Sequence, residues 1–196
     1  MIKVLDCRKK NYISQLNLLL EKRKSGTRLS TNIVTKIIND VKKNKIKALL
    51  KYENRFSQNK EIKPSKEKIT RAIRSLNPKI KEAIDFAYNR ILKFHSKQKT
   101  TNIRYIDNLN NKLEYKNVPI ESVGIYVPAN LPSTLLMNAI PAKIAGVKRI
   151  VMVNPKLKGI QSPGVLYAAK KVGIKEIYSI GGAQAISALA YGTKKI

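Results

Sequence analysis

Apolar residues recur at three-to-four-residue spacing from about residue 10 to 98, which predicts a helical region. Ile13, Leu16, Leu19 and Leu20 open it, and Ile33, Ile37, Ile38 and Val41 carry a second helix that Ser30 or Thr31 would cap. A polar break around Asn44 precedes a further helix with Ala48, Leu49 and Tyr52, and residues Gln58 to Pro64 read as a polar loop. Ser65 stands before a short amphipathic helix bearing Ile69, Ala72, Ile73 and Leu76, which stops before Pro78. The strongest pattern follows, with Ile80, Ile84, Ala87, Ile91 and His95 forming one stripe that must pack on something.

Between Thr100 and Val118 the period shortens, and Ile103, Tyr105, Leu113 and Tyr115 around Asn110-Asn111 predict a small β-hairpin. Beyond it the chain alternates strand (Val123 to Val127), helix (about Thr134 to Ala145), strand (Ile150 to Val153), helix (about Pro163 to Val172), strand (Ile177 to Ile180) and helix (about Ala183 to Tyr191). Two successive βαβ units require a parallel sheet with flanking helices. The expected fold class is therefore α/β: a helical N-terminal region, 1–118, ending in the hairpin, then an incomplete Rossmann-like parallel sheet with flanking helices, 119–196.

Composition narrows the function. With 43% apolar residues in 196 the chain can bury a core. The formal charge of +28 would normally signal a polyanion partner. The lysines, however, are scattered over nearly every segment in runs of two or three. Richness in Lys, Ile, Asn and Tyr also fits a genome biased toward A and T, so nucleic acid is not the expected partner; a basic nucleic-acid-binding or interaction protein on a degenerate enzyme scaffold is the alternative reading. A lone Cys7 suits a reducing compartment, and no apolar run has membrane-spanning length, so a cytoplasmic protein without membrane attachment is expected.

Reactive groups are few. One His and one Cys cannot supply the usual His/Cys zinc site, and His95, on an apolar stripe, reads as a packed, hydrogen-bonded residue. Glu53, Glu61 and Asp85 fall in the helical region, while Glu121 and Glu176 are assigned to strand edges without forming an acid/base pair. Two loops leave strands where α/β sheets bind ligands. In Tyr126-Val127-Pro128-Ala129-Asn130-Leu131-Pro132 an aromatic ends a strand and could stack on a base. In Gly181-Gly182-Ala183-Gln184 two glycines permit close approach, and Gln184 in the first helical turn can donate and accept hydrogen bonds. A plain turn and a core tyrosine are the competing readings, because this is not the G-x-G-x-x-G fingerprint.

Longer motifs add a family. Val123-Gly124-Ile125-Tyr126-Val127-Pro128, Leu136-Met137-Asn138-Ala139-Ile140-Pro141-Ala142-Lys143-Ile144-Ala145-Gly146-Val147 and the run Gly181 to Gly192 closely resemble the first half of histidinol dehydrogenase, as does Phe94-His95-Ser96-Lys97-Gln98 in the helical part. The resemblance implies a zinc- and NAD-dependent enzyme of histidine biosynthesis that oxidises L-histidinol through the aldehyde to L-histidine in two hydride transfers. It implies that Tyr126 and Gln184 contact NAD. The family's metal ligands and acid–base pair lie further along than Ile196, so no catalytic or metal residue is assigned, and the chain alone is expected to be inactive. A homodimer, or a complementary C-terminal polypeptide, is the expected partner. One departure stands inside the matched region: where family members follow Tyr-(Val/Ile)-Pro with two glycines and a longer loop, this chain has Ala129-Asn130-Leu131-Pro132-Ser133. A Cβ at a close-approach position blocks a ligand or forbids positive φ, which places cofactor binding at this loop in question.

Overall fold

The computed structural model describes residues 5–193 and 196, with 22–31 as backbone only. Among the described residues six helices and five strands follow in the order α1 (Tyr12–Ser57), α2 (Lys66–Arg74), α3 (Pro78–Ser96), β1 (Ile103–Ile106), β2 (Lys112–Tyr115), β3 (Ser122–Tyr126), α4 (Pro132–Ile144), β4 (Arg149–Val153), α5 (Pro163–Val172), β5 (Glu176–Tyr178) and α6 (Gly182–Tyr191). The expected α/β class is what forms. One helix boundary does not: α1 runs unbroken through Ser30 and Thr31, so no helix begins there. Nothing at those positions forces the backbone out of helical geometry, and cap residues are tolerated inside a helix at modest cost. The break near Asn44 is real, since Lys45 adopts φ 51° and ψ −124° and splits α1 into two arms. The apolar positions that open the first arm, Ile13, Leu16 and Leu20, are exposed, whereas Ile37 and Val41 are buried.

The hairpin pairs β1 and β2 antiparallel, Ile103 opposite Tyr115 and Ile106 opposite Lys112. The Asp107 carboxylate closes its turn by accepting the Leu109 and Asn111 N–H groups, and Asn110 takes the left-handed conformation that asparagine tolerates. β3, β4 and β5 form a parallel sheet in that order, with Tyr126 beside Val153 and Val153 beside Tyr178.

Alternation along the strands divides the core between two faces. Ile125, Met152 and Ile177 face α4 and α5, whose Leu135, Leu136, Val165 and Leu166 are buried against them. The predicted stripe of α3 packs behind this layer: Ile84 is buried and Ala87 and Ile91 partly so. Val151, Val153 and Tyr178 face the other way, onto Ala185 and Ala188 of α6 and Leu49 of the second arm of α1. At Gly124 an added Cβ would lie 2.8 Å from Leu189 Cδ2, so α6 crosses β3 where the strand has no side chain. α4 and α5 thus cover one face and α6 the opposite one, over the edge strand β3. Sheets of this kind bind ligands just beyond the carboxyl ends of their strands.

A polar tie fastens α3 to α5. The Tyr167 hydroxyl donates to Asp85, 2.8 Å away, and Lys171 Nζ lies 2.9 Å from the same carboxylate. Lys171 and then Tyr167 hold the Asp85 carboxyl below its ordinary value, while burial and then Asp85 push the Tyr167 hydroxyl up to about 12. With a lowered folded-state pKa, Asp85 contributes its stabilisation fully above the ordinary value of 3.8 and loses it as pH falls through the folded value. Because Asp85 is partly exposed, the tie is modest: Asp85→Asn is expected to destabilise by about 1 kcal/mol at neutral pH. In urea melts at successively lower pH the two proteins should converge in acid; a gap independent of pH would show that the carboxylate's charge is not what matters.

Candidate functional site at the carboxyl edge of the sheet

The two residues expected to meet a ligand come from loops 58 positions apart in sequence, and the fold brings them to one place. Tyr126 ends β3 half-buried, and its hydroxyl is 3.7 Å from where a Cβ would stand on Gly181. Gly181 is the extended N-cap residue of α6, and Gln184 sits in the first turn of that helix, 3% exposed. Gly182 between them has φ +65°, and a Cβ there would also meet Gln184 Oε1 at 2.8 Å. Both the conformation and the contact demand glycine.

A residue of the helical region completes this turn. Glu53, near the end of α1 and 1% exposed, accepts the Gly181 N–H and the Gln184 Nε2–H at Oε1, both at 2.9 Å. The same helix end supplies Asn59, whose Nδ2 donates to the Ser179 carbonyl and whose Oδ1 accepts from Lys156 Nζ at 2.8 Å. Asn59 is thrown into position by the left-handed residue Gln58, after which its own N–H bonds back to the Glu53 carbonyl.

The other loop is held by Asn154, the residue that follows β4. Fully buried, its Nδ2 lies 3.1 Å from the Val127 and Pro128 carbonyls and 3.4 Å from that of Ala129. Ser162 donates to Asn130 Oδ1 from the start of α5 at 2.7 Å. Neither Ala129 nor Asn130 takes a positive φ. This glycine-free loop is therefore built from ordinary backbone geometry and pinned by side chains beneath it.

Chemistry-bearing groups elsewhere stay apart. Half-buried His95 has Nδ1 2.5 Å from Gln98 Oε1 and borders a cavity of about 650 Å³ between the end of α3, the base of the hairpin and α4. Glu176 pairs with Arg149 at the opposite, amino end of the sheet, where the Arg149 guanidinium holds its carboxyl below the usual range against the opposing effect of burial. Among the described residues no group of three His, Cys, Asp or Glu could hold a metal ion, and no helix is long and apolar enough to cross a membrane.

Comparison with known proteins gives this architecture its relatives. The histidinol dehydrogenase family model matches residues 20–196. The chain belongs to the histidinol dehydrogenase family. It is 63% identical over 199 residues to the histidinol dehydrogenase of Pelagibacter ubique, covering all of this chain and 46% of that protein. It is 42% identical over 205 residues to that of Caldanaerobacter subterraneus, covering all of this chain and 47% of the relative. The crystal structure of histidinol dehydrogenase from Elizabethkingia anophelis superposes with a TM-score of 0.79 at 38% identity, over 85% of this chain and 40% of the other. The chain thus spans about half the length of the curated relatives it matches.

Sequence reasoning missed Glu53 and Asn154. In the sequence Glu53 is one of the acids of the helical region, away from the strand ends, and only its place one residue after the apolar positions Ala48, Leu49 and Tyr52 hints at burial. Asn154 carried a stronger signal, a polar residue ending an apolar strand directly before Pro155. Replacing Asn154 by Ala strands buried carbonyls and is expected to cost about 2 kcal/mol in denaturant unfolding. A loss under about 0.5 kcal/mol would mean the loop does not depend on it.

Proposed function

We propose that this chain supplies the NAD-binding part of a histidinol dehydrogenase, acting in the cytoplasm on L-histidinol. The observation that carries the reading is the convergence of Tyr126, the Gly181-Gly182 turn and Gln184 at the carboxyl edge of β3 and β5. A half-buried aromatic gives a nucleotide ring a face to stack on. The first turn of α6 gives a carboxamide at fixed position, and Gly182 lets backbone approach without a side chain in the way. These groups fit a dinucleotide, which would accept the hydride that histidinol oxidation releases. Tyr126 and Gln184 are the residues we assign to it.

Zinc is a different matter. The family resemblance implies it, but the described residues hold no ligand set for it, and no step is assigned to a metal here. In this proposal these 196 residues bind and orient the cofactor, and the acid–base and metal groups belong to the part of the family's length that they do not span.

The purified chain with L-histidinol, NAD+ and zinc is expected to yield no NADH, and to yield it once a polypeptide spanning the other half of the family's length is added. NADH formed by the chain alone would overturn the division of labour. In calorimetry Gln184→Ala is expected to weaken NAD+ binding about tenfold, the worth of one buried hydrogen bond to a ligand. Unchanged affinity in both Gln184→Ala and Tyr126→Ala would move the cofactor away from this edge.

A further inference from the structure

The hydrogen bonds under α6 decide which chemical group Gln184 can offer. A glutamine three residues after the N-cap commonly turns back and accepts the N-cap N–H with its own Oε1. Here that N–H belongs to Gly181, and it is already taken by Glu53 from another helix, 2.9 Å away. Glu53 Oε1 also receives Gln184 Nε2 at 2.9 Å. A carboxylate has no N–H to give, so the end of the carboxamide facing it must be the donor end. Gln184 Oε1 is then the end turned over the exposed Gly182, 2.8 Å from where a Cβ would be.

From this the geometry points to Glu53 as a positioning residue that makes Gln184 a hydrogen-bond acceptor, selecting a ligand donor, a ribose hydroxyl or an exocyclic amine, and rejecting a phosphate oxygen. The inference rests on the cofactor reading above for the identity of the ligand, but not for the orientation of Gln184. Two physical effects act together. The bridging pyrophosphate oxygens of a dinucleotide carry no proton at neutral pH and cannot donate to Oε1. A carboxylate under the amino end of α6 also occupies the position where the helix dipole would otherwise favour an anion. α6 therefore meets a neutral part of a nucleotide, although a helix start after a double glycine would ordinarily suggest a phosphate.

Glu53→Gln and Glu53→Leu together separate positioning from mere support. Both N–H groups are accepted by the one oxygen, Glu53 Oε1, so the carbonyl oxygen of Glu53→Gln can take its place and keep Gln184 as it is. The expected result for that variant is a melting temperature, Gly181 amide protection and affinity for NAD+ and adenosine close to the parent's. Glu53→Leu has no acceptor there and should lose the protection and bind NAD+ and adenosine about tenfold more weakly. In a Gln184→Ala background Glu53→Leu should have no further effect on NAD+ affinity, because Glu53 acts through Gln184. Additive losses, parental affinity in Glu53→Leu, or failure of Glu53→Gln to restore binding would overturn the proposal.

NMR of the Gln184 side-chain amide reads the device without any cofactor. In the parent its NH2 protons should exchange slowly and ignore dimethyl phosphate, a diester with no proton at neutral pH, and in Glu53→Leu they should exchange faster. Equal exchange in the two proteins, or a shift induced by dimethyl phosphate in the parent, would contradict the proposal. If the parent fails to bind NAD+ yet shows the slow exchange and its release, the cofactor reading falls and the role of Glu53 stands.

Discussion

The docking of the second arm of α1 onto the carboxyl edge of the sheet is the contact on which the rest depends. Leu49 and the Glu53 side chain reach the sheet's second face and the turn before α6, and Asn59 fastens the carbonyl of Ser179 just beyond β5. A buried carboxyl group without partners would be costly, by more than the 1–3 kcal/mol typical of an unsatisfied neutral group. Glu53 is therefore tolerated only while Gly181 and Gln184 supply their N–H groups, and the turn keeps its shape only while Glu53 is there. The kink at Lys45 makes this docking possible, and Lys45 Nζ reaches the Tyr191 carbonyl at the far end of α6, where a cation suits the helix dipole. Both ends of α6 are thus held by the one helix.

The two loops of the site are solved differently. The Gly181-Gly182 turn uses glycine because its path requires a left-handed residue against Gln184. The Pro128 to Pro132 loop lacks glycines and has no left-handed residue, and it relies on Asn154 and Ser162 to satisfy its polar groups. A buried side chain thus fixes the path of this glycine-free loop.

Much of this was legible in the chain. Period-two and period-three-to-four patterns place the strands of the sheet within a residue or two, and give α5 its limits, because a buried parallel sheet leaves an unmistakable rhythm of Val and Ile runs between amphipathic helices. Ser65 caps α2 as its position suggests, accepting the Lys68 N–H. The continuity of α1 across Ser30 was hidden because local cap preferences are weak. Glu53 was hidden for another reason: its meaning comes from a residue 128 positions away, and periodicity reports which face of a helix is buried without reporting what waits there. Asn154 and Asn59 likewise act across the fold on carbonyls that no sequence pattern marks.

In the proposed function a nucleotide meets the carboxyl edge of this sheet at Tyr126 and the start of α6. Titrating NAD+ into the isotopically labelled chain and following backbone amide shifts tests that directly. Shifts concentrated at Tyr126 to Asn130 and Gly181 to Ala185, with the hairpin and the surroundings of His95 silent, are the predicted result. Saturable shifts confined to the His95 cavity or to the amino end of the sheet, with Gly181 and Gly182 unmoved, would contradict it.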